Sequence, residues 1–429
     1  MTNLGNSSKE LKNTEGTMLD PWINNYAQRA NNLRASEIRA LFSVVSRPEV
    51  VSLAGGMPNL KDLPIAQLAE SAKKLILKDG PIAMQYGQGQ GYPKLREQIM
   101  DVMEYENIKC DPSNVVVTTG SQQALDLITS LFVDPGDVVL VESPSYVGAL
   151  GGFRSYQAQI EHVLMDENGI IPEILEKKII EIKNTGKKIK FLYTIPNFHN
   201  PGGVTLSLER RPKIVEICQK HHILILEDNP YGLLGFDDET FPALYSYAPE
   251  NVIYLGSFSK IFAPGFRIGW AVAPHAIRAK LVLASESAIL SPSMVGQMAI
   301  SDYLENYDWY DQIKQFRKMY KERRDTMLKA LEDYMPNCSW TVPKGGFYTW
   351  VKLPEGINSK EMLPRAVTEL VAYVPGTAFY ADGQGTSYIR LAFCYPTPEF
   401  IREGIRRLSI VVNREVELLE LFDTKHSEE

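Results

Sequence analysis

Lys260 has the setting most favourable to chemistry in this chain. It follows the apolar run VIYLGSFS (252–259) and precedes a loop holding Pro264 and Gly265. Burial disfavours an ammonium and neighbouring cations disfavour it further, so such a lysine keeps a nucleophilic amine. Arg267, seven residues on, supplies that positive charge and a fork suited to phosphate. A solvated surface lysine is the plain alternative, and the apolar run before it argues against that. Asp228 closes the equally apolar run ILILED (223–228), so its carboxylate leaves the core at a strand end. There it can hold a pyridine nitrogen protonated and make the ring an electron sink, or simply cap a helix. Tyr231 sits three residues on, placed to reach the same ring with its hydroxyl or to pack in the core. Gly120-Ser121-Gln122 follows VVVTT (115–119) and opens a helix near Gln122. Free N–H groups, the positive end of a helix dipole and a glycine make a phosphate cup; an ordinary Gly-Ser N-cap has the same pattern.

These groups must be brought together by strands that end at one edge. VVLVE (138–142) runs into Ser-Pro-Ser-Tyr, KFLYTIP (190–196) into a loop with Asn197 and Asn200, and IGWAVA (268–273) follows Arg267. Apolar runs with little alternation, separated by helical segments, indicate strands buried on both faces of a mostly parallel sheet. Ligands of such sheets sit beyond the carboxyl ends of the strands, where the polar residues of this chain gather. The fold class expected is α/β, a large mostly parallel-sheet domain with a smaller α+β domain. The smaller unit is read from FYTWVKL, VAYVPG and YIRLAF after a long helical stretch at about 304–335. Mixed charges along 311–325 read as a solvated face. Near the start, VVSLAGGMPN is a short strand entering a turn, preceded by a partly helical 19–47 with Ile38, Leu41, Phe42 and Val45 in a stripe. The expected division is an arm over 1–50, a large unit over 51–310 and a small unit over 311–429.

Composition removes several classes. At 44% hydrophobic and 23% charged the chain is ordinary globular protein, and a formal charge of −7 with no basic run argues against nucleic acid. Its four cysteines fall in no paired spacing, so neither a disulfide framework nor a metal site is expected. The polar N-terminus has no secretory core, and no apolar stretch approaches the roughly 18 residues of a membrane span. A cytoplasmic protein is the default.

The stretches SLAGGMPN, QYGQGQGYPKLR, TTGSQQAL, PNFHNPGG, LEDNPYG, SFSKIFAPGFRIGW and YIRLAF occur in this order between about residues 35 and 410. Together they resemble the fold-type I pyridoxal-phosphate enzymes, and within them the 2-aminoadipate, kynurenine and aromatic amino-acid aminotransferases. The resemblance implies pyridoxal 5'-phosphate as cofactor, held by Lys260 as an imine; the same lysine then shuttles the proton between the substrate α-carbon and the cofactor C4′. Asp228 matches the partner of the ring nitrogen, and Asn200 and Tyr231 the partners of the phenolic oxygen. Ser121, Gln122, Ser257 and Arg267 match the phosphate ligands, and Tyr146 the stacked aromatic. Tyr86 matches a tyrosine given to the neighbouring subunit's phosphate, which implies a homodimer. Arg390 matches the arginine that grips the substrate α-carboxylate, although an arginine in a strand is also a common edge charge. Gly56 lets substrate approach the backbone. The arm in such relatives covers the site: Ile38 is placed to meet an apolar side chain, Arg39 a distal carboxylate, and Phe347 to add an aromatic wall. Core packing explains Ile38 equally well, and a solvated helix face Arg39. Gly202-Gly203 departs from the relatives' Thr-Gly, and His199 is read as filling its loop.

Rival readings meet specific obstacles. Ser257-Phe258-Ser259-Lys260 satisfies S-x-x-K, but the S-D-N and K-T-G partners of that acyl-enzyme family are missing. Gly87-Gln88-Gly89-Gln90-Gly91 has dinucleotide-like glycines without a strand leading into them. A DNA-binding regulator with an aminotransferase-like sensor needs a leading basic domain, for which the first 35–50 residues are too short. β-Lyases and decarboxylases share the fold and stay open here. The expected reaction is transfer of an amino group from an L-amino acid to a 2-oxo acid such as 2-oxoglutarate, in two ping-pong half-reactions.

Overall fold

The structure is a computed structural model and describes residues 22, 25–33 and 47–426. The stripe of Ile38, Leu41, Phe42 and Val45, and Arg39 beside it, lie outside the described residues. In the first part of the chain come Val51–Ser52 (β1), Ile65–Ala83 (α1), Pro93–Glu104 (α2), Val115–Thr118 (β2), Ser121–Phe132 (α3), Val138–Ser143 (β3), Val147–Ser155 (α4), Gln159–Asp166 (β4) and Gly169–Ile170 (β5). They are followed by Pro172–Asn184 (α5), Ile189–Thr194 (β6), Arg210–Lys220 (α6), Leu224–Asp228 (β7), Val252–Ser257 (β8) and Gly269–Val272 (β9).

Eight strands form one sheet in the order β2-β9-β8-β7-β6-β3-β4-β5. β8, β7, β6, β3 and β4 run parallel; β9 is antiparallel between β2 and β8, and β5 is antiparallel to β4. Every residue of β2, β3, β8 and β9 is buried, as unbroken apolar runs require when both faces are covered. β4 is the strand that composition leaves unmarked. Its residues, QIEHVLMD, mix polar and apolar types and are mostly half-buried near the sheet edge.

Beyond β9 come His275–Ile289 (α7), Met294–Asn306 (α8), Trp309–Tyr334 (α9), Ser339–Trp340 (β10), Tyr348–Lys352 (β11), Ser359–Thr368 (α10), Val371–Ala372 (β12), Val374–Pro375 (β13), Tyr388–Ala392 (β14) and Pro398–His426 (α11). The helical stretch expected at 304–335 is thus two helices. Tyr307 and Asp308 break it, and the Asp308 carboxylate caps α9 by accepting from the Asp311 N–H at 3.0 Å. Nor is 311–325 solvated throughout, because Arg317 and Arg323 are buried. Their forks satisfy backbone carbonyls: Arg317 Nε donates to Leu233 O at 2.7 Å, and Arg323 Nη1 to Cys394 O. A second sheet, β10-β11-β14-β13, is antiparallel. VAYVPG splits between partners, since β13 joins this sheet while β12 pairs in parallel with β1, Val51 opposite Val371. Residues 51–52 are thereby hydrogen-bonded to the C-terminal part of the chain.

One glycine fixes the junction of β2, α3 and β9. Gly269 lies between Thr118 and Ser257 in the sheet. A Cβ there would stand 2.7 Å from the Ser121 nitrogen, 2.8 Å from the Gly120 carbonyl carbon and 2.9 Å from the Gly256 oxygen. All three are backbone atoms and cannot rotate away. Gly269→Ala is therefore expected to destabilise the fold by about 1–3 kcal/mol, read as a lower urea midpoint; an unchanged midpoint would contradict this packing.

Candidate active site

A cavity of about 310 Å³ opens at the carboxyl ends of the central strands. Each wall comes from a strand exit: Ser121 and Gln122 after β2, Tyr146 after β3, Ile195 and Asn200 after β6, Asp228, Pro230 and Tyr231 at β7, and Ser257, Ser259 and Lys260 at β8. Pro264 and Arg267 precede β9, while Tyr348 and Arg390 come from β11 and β14, and Gly55, Gly56 and Met57 follow β1.

One end is built for an anion. Gly120 is the N-cap of α3 at φ 75°, and no side chain caps the helix, so its first N–H groups face the cavity mouth. A Cβ on Gly120 would stand 2.5 Å from Arg267 Nη2, so the glycine is what lets the guanidinium close on the helix start. Arg267 is itself left-handed, at φ 54°, and its Nη2 makes a long 3.5 Å bond to Thr119 O. Ser257 Oγ accepts from the Ser259 N–H at 3.0 Å, which turns the chain tightly into Lys260.

The middle of the cavity holds a buried carboxylate and a buried amine. Tyr193 Oη donates to Asp228 Oδ2 at 2.8 Å, while Asp228 Oδ1, also buried, has no hydrogen-bond partner among the described residues. Burial pushes the Asp228 carboxyl up to about 6; the Tyr193 bond opposes this, the Glu142 charge adds to it, and Lys260 opposes it. Lys260 Nζ donates to Gly56 O at 2.9 Å. Burial lowers the Lys260 pKa, with Arg390 and Arg267 acting in the same direction and Cys394 and Asp228 against it. An unpartnered buried carboxylate oxygen calls for an N–H donor, preferably a cationic one. With a lysine whose ammonium form burial disfavours and an uncapped helix beside an arginine, these residues fit pyridoxal phosphate.

At the other end the Arg390 guanidinium packs against two rings, 4.2 Å from the Tyr348 centroid and 5.0 Å from that of Phe379. Its Nη1 donates to Asn200 Oδ1 at 2.9 Å and its Nη2 to Ala54 O at 2.6 Å. Buried polar groups behind the wall fix the Asn200 loop. Glu142 accepts from Thr194 Oγ1 and the Ile195 N–H, and lies 3.0 Å from His199 Nε2. His199 Nδ1 accepts from the Gly202 N–H at 3.0 Å, which leaves the ring hydrogen on Nε2, facing Glu142. His199 thus sits within its loop and not on the cavity surface.

Of the residues singled out by sequence, Lys260, Asp228, Tyr231, Ser121, Gln122, Tyr146, Asn200, Ser257, Arg267, Arg390 and Gly56 line this one cavity. Ile38 and Arg39 lie outside the described residues. Tyr86 is 78% exposed and is not among the residues that line the cavity. Phe347 is not among the residues that line the cavity, although its ring centroid stands 5.7 Å from Lys260 Nζ. It is fully buried between Tyr231 and Tyr320, with centroids 5.3 and 4.9 Å away. Tyr348 takes the place instead, since successive residues entering β11 face opposite sides. Its hydroxyl would stand 1.9 Å from a Cβ on Gly56, so that glycine makes room for a ring the sequence reading passed over. A larger groove of about 660 Å³ near Lys74 and Asp302 is lined by exposed lysines and lacks any such convergence.

Residues 48–408 match the family model for aminotransferase class I and II. The aromatic-amino-acid aminotransferase 1 of Thermococcus litoralis is 42% identical over 91% of this chain and 94% of its own length. A kynurenine aminotransferase of Pyrococcus horikoshii, solved with PMP, KYN and KYA, superposes with a TM-score of 0.87 at 41% identity, covering 91% of this chain and 98% of that one. An alpha-aminoadipate aminotransferase of Thermus thermophilus, complexed with N-(5'-phosphopyridoxyl)-L-leucine, gives 0.85 at 34% identity over 92% and 99% of the two chains. These relatives favour transamination over β-elimination or decarboxylation. The chain belongs to the class I and II aminotransferases, fold-type I enzymes that use pyridoxal phosphate to move an amino group from an amino acid to a 2-oxo acid.

Proposed function

We propose that the amino donor is an aromatic L-amino acid or 2-aminoadipate and that the acceptor is a 2-oxo acid such as 2-oxoglutarate. The observation that carries this reading is the meeting, in one cavity, of the Lys260 amine, the unpartnered Asp228 Oδ1 and the Arg390 guanidinium. Similarity to enzymes named for aromatic amino acids, kynurenine and aminoadipate supports the substrate classes. Pyridoxal phosphate supplies, when bound, a carbonyl that condenses with amines and a ring that absorbs the electron pair left at the substrate α-carbon. In this reading Ser121, Gln122, Ser257 and Arg267 hold its phosphate, Asp228 its ring nitrogen, Asn200 and Tyr231 its phenolic oxygen, and Tyr146 its face. Lys260 anchors it and, with its ammonium form disfavoured by burial, takes the proton from the substrate α-carbon. Arg390 holds the α-carboxylate.

The arm over 1–50, with Ile38 and Arg39 meeting the substrate side chain, belongs to the same reading, as do the units over 51–310 and 311–429. The β1–β12 pairing puts the first residues of the large unit on the small one. Two copies pair, and Tyr86 serves the neighbouring site. Exposed Ile82 and Met84, close to Tyr86 in the chain, and Leu290, next to the Ser291 that bonds the Gly87 N–H, support a covered face there. Four free cysteines support a cytoplasmic location.

Incubation with 2-oxoglutarate and a panel of amino acids tests the donor. Glutamate and the matching 2-oxo acid should form in equal amounts from phenylalanine, tyrosine, kynurenine or 2-aminoadipate; failure with all four overturns the substrate reading. Arg390→Ala removes a charged carboxylate partner and is expected to lower kcat/KM for the donor by about 10–100-fold, chiefly through KM.

The raised Asp228 pKa has a stability consequence. An unfolded carboxyl loses its proton near 3.8 and the folded one near 6, so the folded protein binds more protons in between. Stability of the cofactor-free protein therefore falls as pH rises through that window. Cofactor-free Asp228→Asn should be more stable than the parent at pH 8 by up to about 3 kcal/mol, at about 1.4 kcal/mol per pKa unit, with the gap closing toward pH 4. Urea titration at the two pH values measures it.

A further inference from the structure

A fully buried phenol stands directly behind the ring-nitrogen carboxylate, and nothing in the reading above uses it. Tyr193 lies on β6 opposite Leu226 of β7, and Asp228 is two residues beyond Leu226. With a side-chain period of two, Tyr193 and Asp228 therefore share a face of the sheet. The Tyr193 ring is wedged against α4, its centroid 5.5 Å from that of Phe153 at 74° between planes. Packing thus fixes the ring, and the ring fixes where its hydroxyl points. The hydroxyl meets Asp228 Oδ2 at 2.8 Å, leaving Oδ1 as the buried, unpartnered oxygen of a residue that lines the cavity.

We infer that Tyr193 is a positioning residue for the cofactor: by donating to one oxygen of Asp228 it keeps the group ionised and presents the other oxygen to the ring nitrogen. The inference rests on the proposed pairing of Asp228 with that nitrogen. Three further groups act on the carboxylate: Glu142, whose charge favours the protonated form, Lys260, which favours the ionised form, and Tyr146 across the cavity. Burial also favours the protonated form. Tyr193 is the only donor bonded to Asp228 among the described side chains, and a hydrogen bond to the charged form favours that form. Without it the carboxyl is free to protonate and to rotate, and a neutral acid holds a protonated ring nitrogen poorly.

A cofactor analogue separates this role from simple packing. Cofactor-free wild type and Tyr193→Phe are titrated at pH 7.5 with pyridoxal phosphate and with 1-deaza-pyridoxal phosphate, in which the ring nitrogen is replaced by CH, following protein fluorescence. The phenylalanine keeps the contact with Phe153 and removes one oxygen. Tyr193→Phe is expected to weaken the natural cofactor on the order of tenfold, the scale of one hydrogen bond to a charged group, and to leave the analogue within about twofold. Equal weakening of both would make Tyr193 a packing residue, and no weakening of either would make it a bystander; each result overturns the proposal. If wild type itself binds the two cofactors equally, the failure lies one step earlier, in the assignment of Asp228 to the ring nitrogen, and Tyr193 falls with it.

Discussion

The site depends on one ionisable group placed where ions are costly, the carboxylate that ends β7. A strand buried on both faces can finish in an aspartate only if the carboxylate has partners on leaving the core, because an unpaired buried charge costs several kcal/mol. Asp228 has one neutral donor behind it and none in front among the described residues. The fold therefore carries an incomplete electrostatic arrangement, one that the proposed ring N–H of the cofactor completes. Lys260 is its counterpart, an amine whose ammonium form is disfavoured by the same burial. The two groups perturb each other in opposite directions, and both ends of the proposed chemistry follow from their being buried side by side.

Holding such groups still takes a layer of polar side chains that never reaches the cavity. Glu106, at the end of the α2 region, accepts from Tyr254 Oη at 2.6 Å, from Asn197 Nδ2 at 3.3 Å and from Asn229. Arg211 Nη2 donates to Asn197 Oδ1 at 2.6 Å. Glu227 accepts from the Leu244 and Tyr245 N–H groups, both at 2.9 Å. Burial pushes Glu106 and Glu227 up to about 7, so these are expensive residues to keep in a core. Their bonds reach the exits of both β6 and β7, the two strands that deliver Asn200 and Asp228. Satisfied networks of this kind restrict a loop to one arrangement, and a site accurate to a fraction of an ångström needs that.

The strand exits were readable in the sequence because composition changes sharply there. ILIL (223–226) followed by Glu227-Asp228, and VIYLG (252–256) followed by Ser257 and then Ser259-Lys260, each pass from apolar to polar within a few residues. What depends on packing geometry left no such mark. Tyr193 sits in the middle of KFLYTIP and looks like core, which it also is; its second role exists only because β6 and β7 are neighbours in a definite register. Phe347 and Tyr348 are adjacent aromatics, and which faces the cavity is set by the backbone after Gly346, at φ 70°, entering β11. Arg317 and Arg323 match their solvated neighbours in composition, yet they are buried because nearby carbonyls accept their forks. The resemblance to a known family supplied the role of Arg390, which an isolated arginine in a short strand does not reveal.

Arg390 also shows how separate parts of the chain are made to agree at one point. Strand β14 places it opposite Trp350 on β11 and Val374 on β13, in the C-terminal sheet. Asn200 of the large sheet's β6 loop and Ala54 after β1 each take one of its terminal nitrogens. Each terminal nitrogen carries two hydrogens, so one N–H on each remains after those bonds are made. Tyr348 and Phe379 both pack within 5.0 Å of the guanidinium, which restricts its movement. A bidentate carboxylate requires both remaining hydrogens to point the same way, and that holds only when the Asn200 loop, the Ala54 segment and the C-terminal sheet are all in place. The carboxylate grip proposed for Arg390 is thus a property of the assembled chain, with the arginine as the point where three segments meet.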